Sequence, residues 1–282
     1  MQNYFKDIED KVKVCYSVAQ QAREKGLDPL SKVEIPIARS LAERVTGLVS
    51  TLYPQVADQK IVKRILELEK EFGALDPAVC LKIAEEIAKE KFCKFKNHEE
   101  AIDAGARIAF GYLTLGVVAA PLEGYTHLEI KKTQKGESYF SVFFSGPIGG
   151  AGRTAASIFL LIIDYLREIF GYVKYDPTEE EIKRAITEVN DRHERVSHLQ
   201  YLPTEKELDF LYRNLPIQLN GDPTEEREVS NYKDLERINT NRIRSGFCLI
   251  LAEGIAQKAP KALKALKYLR QKGFKLSDWD FL

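Results

Sequence analysis

The chain has 282 residues, with 42 basic side chains against 42 acidic ones and 44% hydrophobic residues. That length suits two domains with a sizeable core, and the balanced charge removes net charge as a pointer to nucleic acid. No run approaches the ~20 apolar residues of a membrane span, and the N-terminus MQNYFKDIEDKVK is too charged for a secretory segment, so the chain reads as soluble, cytoplasmic and without a membrane partner. Charged residues still make up 30% of the sequence, with one Met and one Trp. That bias is common where ion-pair networks resist heat and suggests a thermophile.

In chain order, the first hundred or so residues predict helices. Phe5, Ile8, Val12, Cys15, Ala19 and Ala22 recur at helical spacing until Gly26 and Asp28-Pro29 stop the run. Pro36 opens a second helix carrying Ile37, Leu41, Val45 and Leu48, which ends before Pro54. Asp58 caps a third that stops at Gly73, and Asp76-Pro77 opens a fourth using Val79, Ile83, Ile87 and Phe92. Asn97 with Glu100 resembles a capping box for a fifth through Leu113.

The pattern then changes. GYTHLEIKK and ESYFSVFF flank TQKG and predict a β-hairpin, whose second arm runs into SGPIGGAGRTAAS and a helix from Ala155 to Phe170. GYVKY reads as a short strand. Thr178 with Glu181 and Thr204 with Glu207 are capping boxes for two more helices, and LPIQLNGD reads as a strand closed by an Asn-Gly turn. TNRIRSG leads into the helix FCLILAEGIAQK, and Pro260 starts a last one, KALKALKYLRQKG. The ending SDWDFL looks like a boundary inside a longer chain.

Cys15, Cys80, Cys93 and Cys248 are scattered without a CxxC pair, and His193 and His198 stand five apart, off a common helical face. They predict buried free thiols and no metal site. No Ser/His/Asp, Cys/His or metal-carboxylate constellation assembles, so no catalytic residue is assigned.

The glycine loop admits several readings. A Walker loop fails, because its first Gly would fall on Pro147 and Arg153 stands where Lys is needed. Gly150-x-Gly152-x-x-Ala155 matches a dinucleotide fingerprint with Asp176 as the ribose acid, although a hairpin arm is the wrong strand to precede it. Gly146 to Gly149 satisfies the G-x-x-G of nucleic-acid-clamping KH modules. The favoured local reading is a corner in which Gly146, Gly149, Gly150 and Gly152 let the helix pack closely on the sheet, with an anion taken at the helix N-terminus.

Basic residues show a direction. Lys258, Lys261, Lys264, Lys267 and Arg270 recur every third position, and no acid occurs from Gly254 to Ser277. Such a stripe suits a phosphate backbone, although a charge run is as often a solvated face. Arg153, Arg192, Arg195, Arg242 and Arg244 offer guanidinium forks that suit phosphates and structural carboxylates alike.

Together, AREKGLDP, EIPIARSLAERVTGL, GVVAAPLEGY, FFSGPIGGAGRTAAS, NDRHERVSHLQYLPT, VSNYKDLERINTNRIRSG and LAEGIAQKAPK resemble the N-terminal region of the large subunit of archaeal family D DNA polymerase. The likeness spans nearly the whole chain. One departure concerns the glycine loop: the family reads close to GPIRSAGGTA, with Arg where Gly149 stands and Gly where Arg153 stands. The resemblance implies an α+β chain: an N-terminal helical arm (1–55), a helical region (56–118) and a KH-like α/β domain (119–282) with a small sheet packed by helices. It implies a replicative polymerase subunit that binds primer–template DNA, partners a small subunit with proofreading exonuclease activity, and uses Mg2+ in the full polymerase. The catalytic aspartates would lie beyond residue 282, so this stretch would be non-catalytic, without a cofactor of its own, and would serve DNA binding and assembly. A dinucleotide-dependent oxidoreductase using Gly150, Gly152 and Asp176 is the runner-up. A structural scaffold, whose N-terminal helices pair subunits or copies of the chain, is the third reading.

Overall fold

The computed structural model describes residues 2–27, 37–150, 152–231 and 234–282. Its helices begin where short polar side chains can take free N–H groups. Helix α1 spans Gln2–Glu24 and closes on Gly26, whose φ of +68° suits glycine. Helix α2, Leu41–Val49, starts at Ser40, whose hydroxyl accepts the Glu43 N–H at 3.1 Å. The predicted start at Pro36 lies outside the described residues. Asp58, Asp76 and Asn97 cap α3 (Gln59–Phe72), α4 (Pro77–Ala88) and α5 (His98–Leu113) as expected. Two details differ. Helix α4 ends at Ala88, before Phe92, and the Glu100 carboxylate takes the Lys96 N–H at 3.1 Å, leaving the capping box half formed.

The predicted hairpin is β1 (Tyr125–Lys132) against β2 (Ser138–Phe144), antiparallel, with Leu128 opposite Val142. Strand β3 (Gln218–Gly221) pairs parallel on the other side of β2, giving the order β1-β2-β3. Between β2 and β3 the chain forms α6 (Arg153–Ile169), α7 (Glu179–Arg195) and α8 (Glu205–Asn214), with both Thr/Glu capping boxes complete. Helix α9 (Ser245–Leu249) widens into a π-helical stretch, Ile250–Ala256, before α10 (Ala259–Gln271) begins with Pro260 in its first turn.

Two predicted elements are corrected. GYVKY is not a strand, although the Val173 N–H reaches the Ser138 carbonyl at 3.0 Å. Asn220 and Gly221 lie inside β3 and make no turn, because the Asn220 side chain accepts the Gly221 N–H at 2.9 Å and a guanidinium N–H of Arg244 at 2.7 Å. The fold is α+β, with one hydrophobic cluster running from Ala42 to Trp279. No helix among the described residues is long and apolar enough to cross a membrane.

Helix-to-sheet packing is fixed by aromatic and polar contacts. Phe110 on α5 stacks on Phe159 of α6 at 4.1 Å. Asp103 accepts hydrogen bonds from Tyr53 (2.7 Å), Tyr125 (2.5 Å) and Arg107 (2.6 Å), and Arg107 spends another donor on the Pro121 carbonyl at 2.5 Å. This buried knot ties α5 to the start of β1, and each member satisfies the others.

Glu85 of α4 makes a similar tie to α6. Burial alone would raise its pKa, but hydrogen bonds from Lys89, Tyr165 and Lys82 outweigh burial and bring the carboxyl down to about 2. A carboxyl depressed in the folded state stabilises the fold above its unfolded pKa of about 4.3 and loses that contribution as pH falls toward 2. Acid titration of stability should therefore show a Glu85 component of about 3 kcal/mol between about pH 4.5 and 2. In Glu85→Gln that limb should flatten; a limb as steep as in the unaltered chain would show that the tie contributes nothing.

Candidate nucleic-acid interface

The glycine loop joins the end of β2 to α6 through a tight 3-10 turn, Gly146–Gly150. Its glycines are not there for close packing. A Cβ added at Gly146 or Gly150 would meet nothing within 4 Å, and one at Gly149 would make only ordinary contact with Leu249. Gly152 alone of the four has a conformational reason, with φ +89°. Close approach is instead supplied by glycines outside the loop. A Cβ on Gly124 would stand 2.8 Å from the Ile148 backbone, and one on Gly246 would stand 2.4 Å from the Phe144 carbonyl. The loop is pinned by buried Ile148, and its glycines leave an open backbone surface beside the N-terminus of α6.

Arg153 opens α6 but turns back on the protein. Its Nε donates to Glu253 at 2.7 Å and a terminal nitrogen donates to the Gly149 carbonyl at 2.6 Å. Glu253 also accepts the Gln200 N–H at 2.8 Å, so it stitches loop, α6 and the α7–α8 connection together. Asp176 lies at the other end of the sheet. It accepts the Gln134 N–H at 3.1 Å and is paired with Arg237 at 2.5 Å, beside the hairpin turn. The seven residues of β2, about 20 Å of strand, separate that turn from the glycine loop. Gly150, Gly152 and Asp176 are therefore not brought together, and one dinucleotide does not find its acid here.

The remaining arginines sort by burial. Arg244 is 0% exposed and is corrected from surface ligand to core residue. It pairs with Glu188 at 2.6 Å, donates to Asn220, and lies over the Phe247 ring at 4.3 Å. Burial by itself would lower its pKa, and Glu188 more than compensates, leaving it raised. Arg192 is buried too. It caps its own helix by donating to the Ser197 carbonyl at 2.6 Å, while its Nε finds no partner among the described residues. Arg195 shares its donors among Asp191 (3.1 Å), the Glu228 carbonyl (3.2 Å) and Ser230 (3.2 Å). Arg242 pairs through its backbone with that same residue 228, and its side chain is exposed. Arg227, which the sequence did not single out, joins them by donating to the Arg195 carbonyl. Arg195, Arg227 and Arg242 thus gather at the C-terminal end of α7.

Helix α10 is different. It buries Ala262, Leu266 and Leu269 and turns Lys261, Lys264 and Lys267 to solvent, with Lys258 half-buried at its N-cap. Among the described residues the ion pair on this helix is Arg270 with Asp280 at 2.5 Å, and none of the four lysines has one. At 3.6 residues per turn, each third residue steps back about 60°, so Lys261, Lys264 and Lys267 fan over about 120° of the outer face. The stripe is a fan.

Three carboxylates also converge: Asp164, Glu168 and Asp278 place oxygens within 4.8 Å of one another. The protein supplies its own cations there. Arg167 donates to Asp164 and Asp278 at 2.6 Å each, and Lys174 pairs with Asp278. Trp279 donates to Asp164 at 2.8 Å, so the cluster fastens the final described segment to α6.

Residues 3–282 match the family model described as DNA polymerase II large subunit DP2, N-terminal. Among similar proteins, the DNA polymerase II large subunit of Nanoarchaeum equitans is 44% identical over 279 residues, covering 99% of this chain and 22% of the relative. The large subunit of Methanosarcina barkeri is 39% identical over 282 residues, covering 100% of this chain and 23% of the relative. That of Thermoplasma acidophilum is 41% identical over 283 residues, with coverage of 100% and 24%. The chain therefore spans about a quarter or less of the length of these relatives. Order and extent of similarity, end to end over the described fold, place it: the chain belongs to the family of N-terminal regions of the archaeal DNA polymerase II large subunit.

Proposed function

We propose that this chain is the DNA-binding and subunit-assembly region of a replicative, family D polymerase. In that reading it holds primer–template DNA while template-directed synthesis, with its Mg2+, is carried out elsewhere in the longer protein. A small subunit with exonuclease activity is its protein partner. The observation that carries the DNA contact is the contrast between cations: Arg153, Arg192, Arg195, Arg244 and Arg270 are engaged by the protein, whereas Lys258, Lys261, Lys264 and Lys267 are not. A row of solvated ammonium groups without carboxylates gives counterion-releasing contact with phosphates. The KH-like use of the loop is a finer part of the same reading, supported by the open space over Gly146 and Gly150.

Anisotropy titration of the chain with a primer–template junction over a range of salt tests the contact. Replacing Lys261, Lys264 and Lys267 by Ala should make the log–log salt slope about 3 less steep, because each phosphate contact contributes about 0.9. An unchanged slope would remove α10 from the interface.

A further inference from the structure

The fan on α10 also selects a form of DNA. We propose that α10 meets duplex DNA, lying against the major groove with its lysines reaching phosphates on both strands. This rests on the reading that α10 contacts DNA at all.

The shape of the cationic surface decides it. Lys261 and Lys267 stand about 9 Å apart along the helix axis and about 120° apart around it, with Lys264 between them pointing straight out. Cations that diverge from a convex cylinder cannot all follow one strand, whose path would have to wrap the helix. They do match two walls on either side of a groove. A helix with its side chains is about 10–12 Å across, and the major groove is about 12 Å wide. Lysine is a hydrated point charge on a flexible stem, so it can reach either wall without a fixed fork geometry.

Single-strand sites are built differently, as concave grooves in which bases stack on exposed aromatic rings. The rings on and next to α10 are committed to packing. Tyr268 is half-buried with its hydroxyl bonded to Asp76, and Phe274 packs against Phe72 and Tyr165, with ring centroids 6.3 and 5.4 Å away. Lys272, which lies 5.6 Å over the Tyr268 ring, and exposed Lys275 continue the charge beyond the helix without adding a free ring.

The test compares a blunt duplex with either of its separated strands, using the chain and its Lys261→Ala, Lys264→Ala, Lys267→Ala triple variant. All three positions are exposed, so thermal melting should be unchanged. The expected result is tighter binding of duplex than of strand. For the duplex, the unaltered chain should lose about forty-fold more affinity than the variant between about 50 and 200 mM salt. In the variant, the preference for duplex should disappear. If strand binds as tightly as duplex and the substitutions weaken both alike, the duplex assignment is overturned while the DNA-contact reading stands. If the substitutions alter neither salt dependence, both fall together.

Discussion

Gly246→Ala should unfold the chain or cost about 3 kcal/mol or more in urea denaturation. An added methyl would stand 2.4 Å from both the carbon and the oxygen of the Phe144 carbonyl and 2.6 Å from the Ser145 nitrogen. These are backbone atoms at the end of the central strand, so no rotamer change relieves the clash. Either α9 or β2 must move, and both are buried. Gly146→Ala is the matching control. Nothing lies within 4 Å of its added methyl, so its effect should stay within about 0.5 kcal/mol. Equal effects at the two positions would contradict the assignment of close packing to Gly246 and open backbone to the loop.

The second large effect is expected at Glu188. Its carboxylate, 0% exposed, takes Arg244 at 2.6 Å and Arg184 at 3.3 Å, and also accepts the Arg244 backbone N–H at 2.7 Å. Removing one partner of a buried pair leaves an uncompensated charge, which typically costs about 3–5 kcal/mol. Glu188→Ala should therefore lower the denaturation midpoint severely. Adding Arg244→Met to Glu188→Met should recover part of the loss of Glu188→Met alone, because the two side chains share one interaction and their effects do not add. Recovery will be incomplete, since Arg184 still relies on the Thr240 and Arg242 carbonyls without its acid. Simple additivity would show that the pair is not coupled.

These two sites also mark where sequence reading stops. The helix starts at Asp58, Asp76, Asn97, Thr178 and Thr204 were legible because a cap acts within three residues of its own backbone. The hairpin was legible from alternation, and Pro260 announced α10. GYVKY failed because aromatic and β-branched content marks burial as much as pairing: Tyr175 is buried against Tyr139 and Tyr212 without a ladder. Asn220-Gly221 failed because the asparagine amide is captured by Arg244, a partner far along the chain.

The candidate site divides in the same way. Spacing alone placed three lysines on the outer face of α10, since a helix with Ala262, Leu266 and Leu269 inward must turn Lys261, Lys264 and Lys267 outward. For the arginines, spacing was silent. Arg153 meets Glu253 and Arg244 meets Glu188 across long stretches of chain, and only the closed fold brings those carboxylates within reach. Local signals are written within a turn or two of helix, so the sequence by itself determined where elements begin, the α+β class and the family likeness. Which charges remain available to a ligand depends on long-range pairing and burial, and that the tertiary structure decided.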